Sequence, residues 1–83
     1  MYPCPCCGWH TFSVPAEDAV GYICPVCFWE NDVFLSSDDE QSDENHGLTL
    51  MQGRMNYQRF GACDIMERRY VRPPTALERG EAE

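Results

Sequence analysis

Lysine is absent from this 83-residue chain, and no arginine occurs before residue 54. Residues 1–53 hold nine acidic residues and no basic one. Residues 54–83 hold six arginines and five acidic residues, so the two parts carry −9 and +1. Duplex nucleic-acid binding draws on a basic face that displaces counterions, and the first part has none. Long apolar runs are also missing: nothing approaches the roughly 20 residues that span a bilayer, which argues against a membrane protein. Cys4 stands so near Met1 that no signal peptide is expected before it. Internal repeats are absent apart from two cysteine turns. The expected setting is soluble, reducing and cytoplasmic, with a single domain that buries only roughly 60% of its unfolded surface and therefore needs a staple.

Cysteine is what the sequence has in plenty. Cys4 and Cys7 form one Cys-x2-Cys pair, Cys24 and Cys27 another, with 16 residues between them. Two residues between ligands let a tight turn present two sulfurs on one side of the backbone, about 2.3 Å from a common ion, and two such turns complete a tetrahedron. Pro5 and Pro25 fix φ within the turns, and Gly8 can take a positive φ just after the first. The expected cofactor is one Zn2+ per chain, bound by Cys4, Cys7, Cys24 and Cys27. Iron suits the same four sulfurs and stays open as an alternative. Cys6 can replace Cys7 in a Cys-x-Cys pairing, but Cys7 matches the second pair. His10 and His46 are weaker substitutes. Four thiolates with Zn2+ would bring the net charge to about −10.

Residues 9–12 and 19–23, rich in aromatic and β-branched side chains, are expected to pair as a hairpin bringing the turns together. Phe28 and Trp29 are expected to pack over the metal. Residues 36–46 carry Asp38, Asp39, Glu40, Asp43 and Glu44. They lack the sixth-position Gly and twelfth-position Glu of an EF-hand loop, so a solvated, mobile charge run is expected. Thr49 reads as N-cap and Gly61 as C-cap of a helix over residues 50–60. Leu50, Gly53, Tyr57 and Phe60 form its docking face, and Met51 and Met55 are assigned to the core as well. Gly53 in mid-helix hints at a close approach. Residues 62–70 are expected to return Ile65 and Tyr70 to the body, and residues 75–83 to form a flexible tail. The fold class is therefore a small α+β zinc ribbon, a β-hairpin with two cysteine knuckles and one packed helix, with a domain over residues 1–74.

A closed four-sulfur site leaves no open position for a catalytic water, so no enzyme activity is expected. The leading function is a structural or regulatory zinc module that binds a basic protein partner through its acidic surface, with a homodimer as a further possibility. A second reading is a thiol redox or metal-responsive protein using Cys6 and Cys63. No Arg, Lys or helix N-terminus is evident beside Cys6 to activate its thiol, and a bystander role is the plainer account. A thioredoxin-like Cys-Pro-x-Cys enzyme is disfavoured because neither pair lies between a strand and a long helix. The weakest reading is nucleic-acid binding through Arg54, Arg59, Arg68, Arg69 and Arg72, which can equally neutralise the acidic part.

The sequence resembles the bacterial cysteine-rich CPCC domain proteins. The resemblance runs through Tyr2-Pro3-Cys4-Pro5-Cys6-Cys7-Gly8, Thr11, Gly21-Tyr22-Ile23-Cys24-Pro25-Val26-Cys27-Phe28-Trp29-Glu30 and Asp32. It continues through Asn45, Gly47, Thr49-Leu50, Asn56-Tyr57, Phe60-Gly61-Ala62 and Val71-Arg72-Pro73-Pro74. It implies a zinc-ribbon-like module without assigned enzyme activity. Asn31, Gly53 and the longer acidic loop depart from its pattern. It also singles out Trp29, Glu30, Asp32 and Asn56 as a candidate polar or partner site, against the plainer reading of capping and support for the metal ligands.

Overall fold

Each cysteine turn closes on its own flanks. In the computed structural model, which describes residues 1–81, the Gly8 N–H donates to the Cys4 carbonyl and the Phe28 N–H to the Cys24 carbonyl, both at 2.8 Å. One step out, the Cys4 N–H donates to the Trp9 carbonyl at 2.9 Å and the Cys24 N–H to the Trp29 carbonyl at 3.0 Å. Single antiparallel bridges then join Tyr2 to Phe12 and Ile23 to Glu30. The two knuckles are thus one motif repeated at an offset of 20 residues. Its correspondence extends to Tyr2 and Tyr22 and to Trp9 and Trp29.

This pairing corrects the expected hairpin. Residues 9–12 and 19–23 do not bridge each other, and among the described residues β pairing is confined to isolated bridges, the third joining Gln41 to Thr49. Each observed bridge lies across its own knuckle, where the Cys4 N–H to Trp9 and Cys24 N–H to Trp29 hydrogen bonds already align the flanking segments. That loop carries a 3-10 turn at Ala16–Asp18, and Asn31 holds it by donating to the Ala16 and Ala19 carbonyls.

The helix α1, Leu50–Phe60, begins with a capping box. Thr49 Oγ1 accepts from the Gln52 N–H and Gln52 Oε1 from the Thr49 N–H, a motif whose cap contributes about 1 kcal/mol. Gly61, at φ 81°, ends it. Leu50 and Gly53 are buried, and Tyr57 and Phe60 half-buried, on the expected face. A Cβ on Gly53 would stand 3.0 Å from Trp29 Cε3 and 3.3 Å from Cys6 Sγ, so the missing side chain lets the helix lie directly on the knuckles. Polar contacts fix the docking: Trp9 Nε1 donates to the Tyr57 hydroxyl at 3.0 Å, and Arg54 Nε donates to the Pro5 carbonyl at 2.8 Å. Met51 and Met55 stay about half exposed and do not join the core as expected, because Gly53 and Leu50 already fill the contact. The largest fully buried side chains among the described residues are Trp29, Phe12, Val26, Cys4, Cys24, Cys27 and Ser42.

Two further segments differ from expectation. In the acidic loop, Asp43–Asn45 forms a 3-10 turn, and buried Asn45 clamps Glu30 by accepting from its N–H and donating to its carbonyl, both at 2.8 Å. Ser42, fully buried, donates to Asp32 Oδ2 at 2.8 Å. The C-terminal segment expected to be a flexible tail is held over residues 75–81, while 82–83 lie outside the described residues. Glu78 is buried, takes a two-pronged contact from Arg72 at 2.7 and 2.9 Å, and offers its carbonyl to the His10 N–H at 2.8 Å. The Arg72 N–H reaches the Pro25 carbonyl, so this strap touches both knuckles. A 3-10 turn at Ile65–Tyr70 precedes it; its Ile65 is exposed, whereas Tyr70 packs its ring on Phe28 at 5.4 Å.

Gly53→Leu forces several heavy atoms into the Trp29 ring and is expected to lower unfolding free energy by about 1–3 kcal/mol, read by denaturant melts of the metal-loaded protein. The Arg72 guanidinium holds the Glu78 carboxyl down to about 2 from an ordinary 4.5. A depressed folded-state pKa stabilises fully above the unfolded value and is lost as pH falls through the folded one. The stability difference between the wild type and Glu78→Gln should therefore be level above about pH 4.5 and shrink as pH falls toward about 2. Melts of the two proteins in parallel cancel acid effects common to both.

Candidate metal centre

Folding each turn on itself leaves its two sulfurs pointing outward, and packing the turns together brings the pairs face to face. Cys4 Sγ lies 3.7 Å from Cys27 Sγ, Cys7 Sγ lies 3.7 Å from Cys24 Sγ, and all four sulfurs lie within 4.8 Å of one another. Sulfurs each about 2.3 Å from a central ion form a tetrahedron with edges of roughly 3.8 Å, so the arrangement fits a four-thiolate ion. All six cysteines are free thiols.

Two donors outside the cluster point at its sulfurs. The Trp29 N–H donates to Cys27 Sγ at 3.4 Å, and the Thr11 hydroxyl lies 3.2 Å from Cys24 Sγ. Donation from Cys27 holds the Cys24 thiol well below its ordinary value, and the same contact drives Cys27 well above it. Four sulfurs this close cannot all ionise unless a cation offsets their repulsion. Cys4, Cys24 and Cys27 are buried and Cys7 is half-buried, so bulk water meets one edge of the cluster.

Cys6 stays out of the cluster. Its buried sulfur faces the helix at Gly53, which separates its role from that of Cys7. Cys63 is buried beyond the end of the helix, where burial foremost pushes its thiol up to about 12. A buried thiol with a raised pKa makes a poor redox nucleophile, which weakens the part of the redox reading carried by Cys63. Of the candidate polar residues, Glu30 and Asp32 line one cleft of about 150 Å3 together with Glu44. Trp29 is core at 1% exposure, and Asn56 is set apart, donating to the Cys63 carbonyl at 2.9 Å. Arg54 and Arg72 are paired with Asp38 and Glu78, so two of the five arginines considered for nucleic acid already meet carboxylates of this chain. Thr11 and Asn45 contribute to the centre and its flank. Both are among the residues that carry the family resemblance, but a lone Thr or Asn in a loop has no spacing signal that would assign it a role. No helix among the described residues is long and apolar enough to cross a membrane.

Two self-closed knuckles around four converging sulfurs define a cysteine-rich domain positioned for metal binding. Over residues 2–78 the chain matches the family model described as Cysteine-rich CPCC, and it belongs to that family. No curated protein and no solved structure matches it.

Cys7→Ser is expected to lose most of its bound metal, whereas Cys6→Ser keeps about one ion per chain. Metal content by native mass spectrometry distinguishes the two.

Proposed function

We propose that the protein is a zinc-stabilised interaction module that binds a basic protein partner through its acidic face and carries out no chemistry of its own. The observation behind this reading is the closed cluster of four sulfurs. Such a site holds the chain together and leaves no coordination position for a substrate or a catalytic water. Zinc is preferred to iron because two Cys-x2-Cys pairs separated by 16 residues have the spacing of structural zinc sites. Six free thiols suit a reducing compartment such as the cytoplasm.

The acidic face supports the partner half of the reading. Glu30, Asp32, Glu40, Asp43 and Glu44 have no ion-pair partner among the described residues, whose pairs are His46 with Glu67, Arg54 with Asp38, Arg72 with Glu78 and Arg79 with Glu81. Unpaired charge of one sign steers an oppositely charged protein and repels phosphate.

Titrating a chelator into the purified protein while following metal content by native mass spectrometry and structure by far-UV circular dichroism tests the scaffold. One zinc per chain and loss of structure in step with its removal are expected. A folded, metal-free chain with paired cysteines would overturn the reading and bring thiol redox chemistry forward.

A further inference from the structure

Two surface cavities meet beside the second knuckle. One, of about 240 Å3, has Ile23, Phe28 and Leu48 on its apolar side and Glu30, Glu44 and Glu67 on its acidic side. The other, of about 360 Å3, adds Met66 and Tyr70 and shares His46, Asp64 and Glu67 with the first. Together they form a groove with exposed apolar groups, Met66 at 75%, Tyr70 at 58% and Ile23 at 49%. Nothing in the described chain covers them.

The repeat shows that the knuckle itself does not require this surface. At the equivalent position the first knuckle has Gly8 at φ 81°, with nothing within 4 Å of where a Cβ would lie. The second has Phe28 at φ 69°, a conformation costing roughly 1–3 kcal/mol for a residue with a side chain, and its ring lies half-buried against Tyr70. The charge is equally one-sided. Four carboxylates, from Glu30, Glu44, Asp64 and Glu67, face the groove against Arg69 and His46, and His46 already lies 3.3 Å from Glu67. Partial burial and the facing Glu44 carboxyl push Glu30 up, because no cation stands between the two. The Arg69 guanidinium lies over the Tyr70 ring at 5.7 Å, so an aromatic face of this groove already receives a guanidinium.

We propose that this groove docks a basic amphipathic segment of another protein, whose arginine or lysine lays its aliphatic stem on Phe28 and Leu48 and sets its charge between Glu30 and Glu44. The inference rests on the reading of the protein as a module for a basic partner, and it names the surface and the side chains involved. A long cationic side chain satisfies both walls, since its stem is apolar and its head charged. A polyamine would leave the apolar wall uncovered. A phosphate-bearing ligand meets four carboxylates.

The test uses a random-peptide phage library selected on the zinc-loaded protein, with the best peptide then synthesised and measured against wild type and Glu30→Gln/Glu44→Gln. Enriched peptides are expected to join arginine or lysine to an adjacent apolar residue, and the double variant to bind about tenfold more weakly. Amide shifts on titration should concentrate at Ile23, Phe28, Glu30, Glu44 and Tyr70. Metal content and circular dichroism of the variant establish that it is folded; should it not be, the shift map on wild type decides alone. Basic peptides whose shifts fall instead on residues 36–41, or which bind a folded double variant equally well, would overturn the groove and leave the basic-partner reading standing. Selection without basic residues, or no binder at all, would overturn both. Sedimentation showing a dimer closed through this groove would make a second copy the occupant and overturn the proposal.

Discussion

Four sulfurs held within 4.8 Å of one another are the constraint on which the rest of the molecule depends. Thiolates at that distance repel, and an apolar surround deepens the repulsion, so the arrangement calls for a cation at its centre. The remaining core is small: Trp29, Phe12 and Val26 are its largest fully buried apolar side chains, each contributing on the order of 1.5–3 kcal/mol. Structural zinc in small peptides contributes about 10–16 kcal/mol of apparent binding energy, comparable with the whole net stability of an ordinary domain. Local hydrogen bonds shape each knuckle, and four sulfurs positioned for a metal ion lie where the two meet.

Around that centre the other elements act as connectors. The helix reaches the first knuckle through Trp9 and Pro5 and the second through Trp29, whose ring lies directly under Gly53. The C-terminal strap repeats this on another side, with Arg72 on Pro25 and Glu78 on His10. Asn45 ties the acidic loop to the flank of the second knuckle at Glu30. Repetition of the knuckle makes the asymmetry informative. Both Trp9 and Trp29 close their turns, but Gly8 leaves its surface bare while Phe28 presents a ring beside unpaired carboxylates.

The sequence made some of this legible and hid the rest for physical reasons. Cysteine spacing and proline position act over four residues, so both knuckles could be read directly, as could a helix bounded by Thr49 and Gly61. Strand pairing could not, because aromatic and β-branched residues suit a bridge with either neighbour, and the turn hydrogen bonds of each knuckle align its own flanks instead: Tyr2 with Phe12 and Ile23 with Glu30. Met51 and Met55 share the helix with Leu50 and Gly53, and apolar character alone did not say which pair the knuckles would occupy. The strap has no apolar signature in the sequence, because Glu78 is buried by a charge-assisted clasp with Arg72 rather than by hydrophobic packing. Membership of the Cysteine-rich CPCC family was legible from the two Cys-Pro-x-Cys turns and their flanks.

The central claim, that Cys4, Cys7, Cys24 and Cys27 together enclose one zinc ion, is tested most directly by X-ray absorption at the zinc edge on the protein as purified. Four sulfurs at about 2.3 Å, with no nitrogen or oxygen in the coordination sphere, are predicted. Three sulfurs with a lighter fourth ligand, or no zinc signal from a folded chain, would contradict the account.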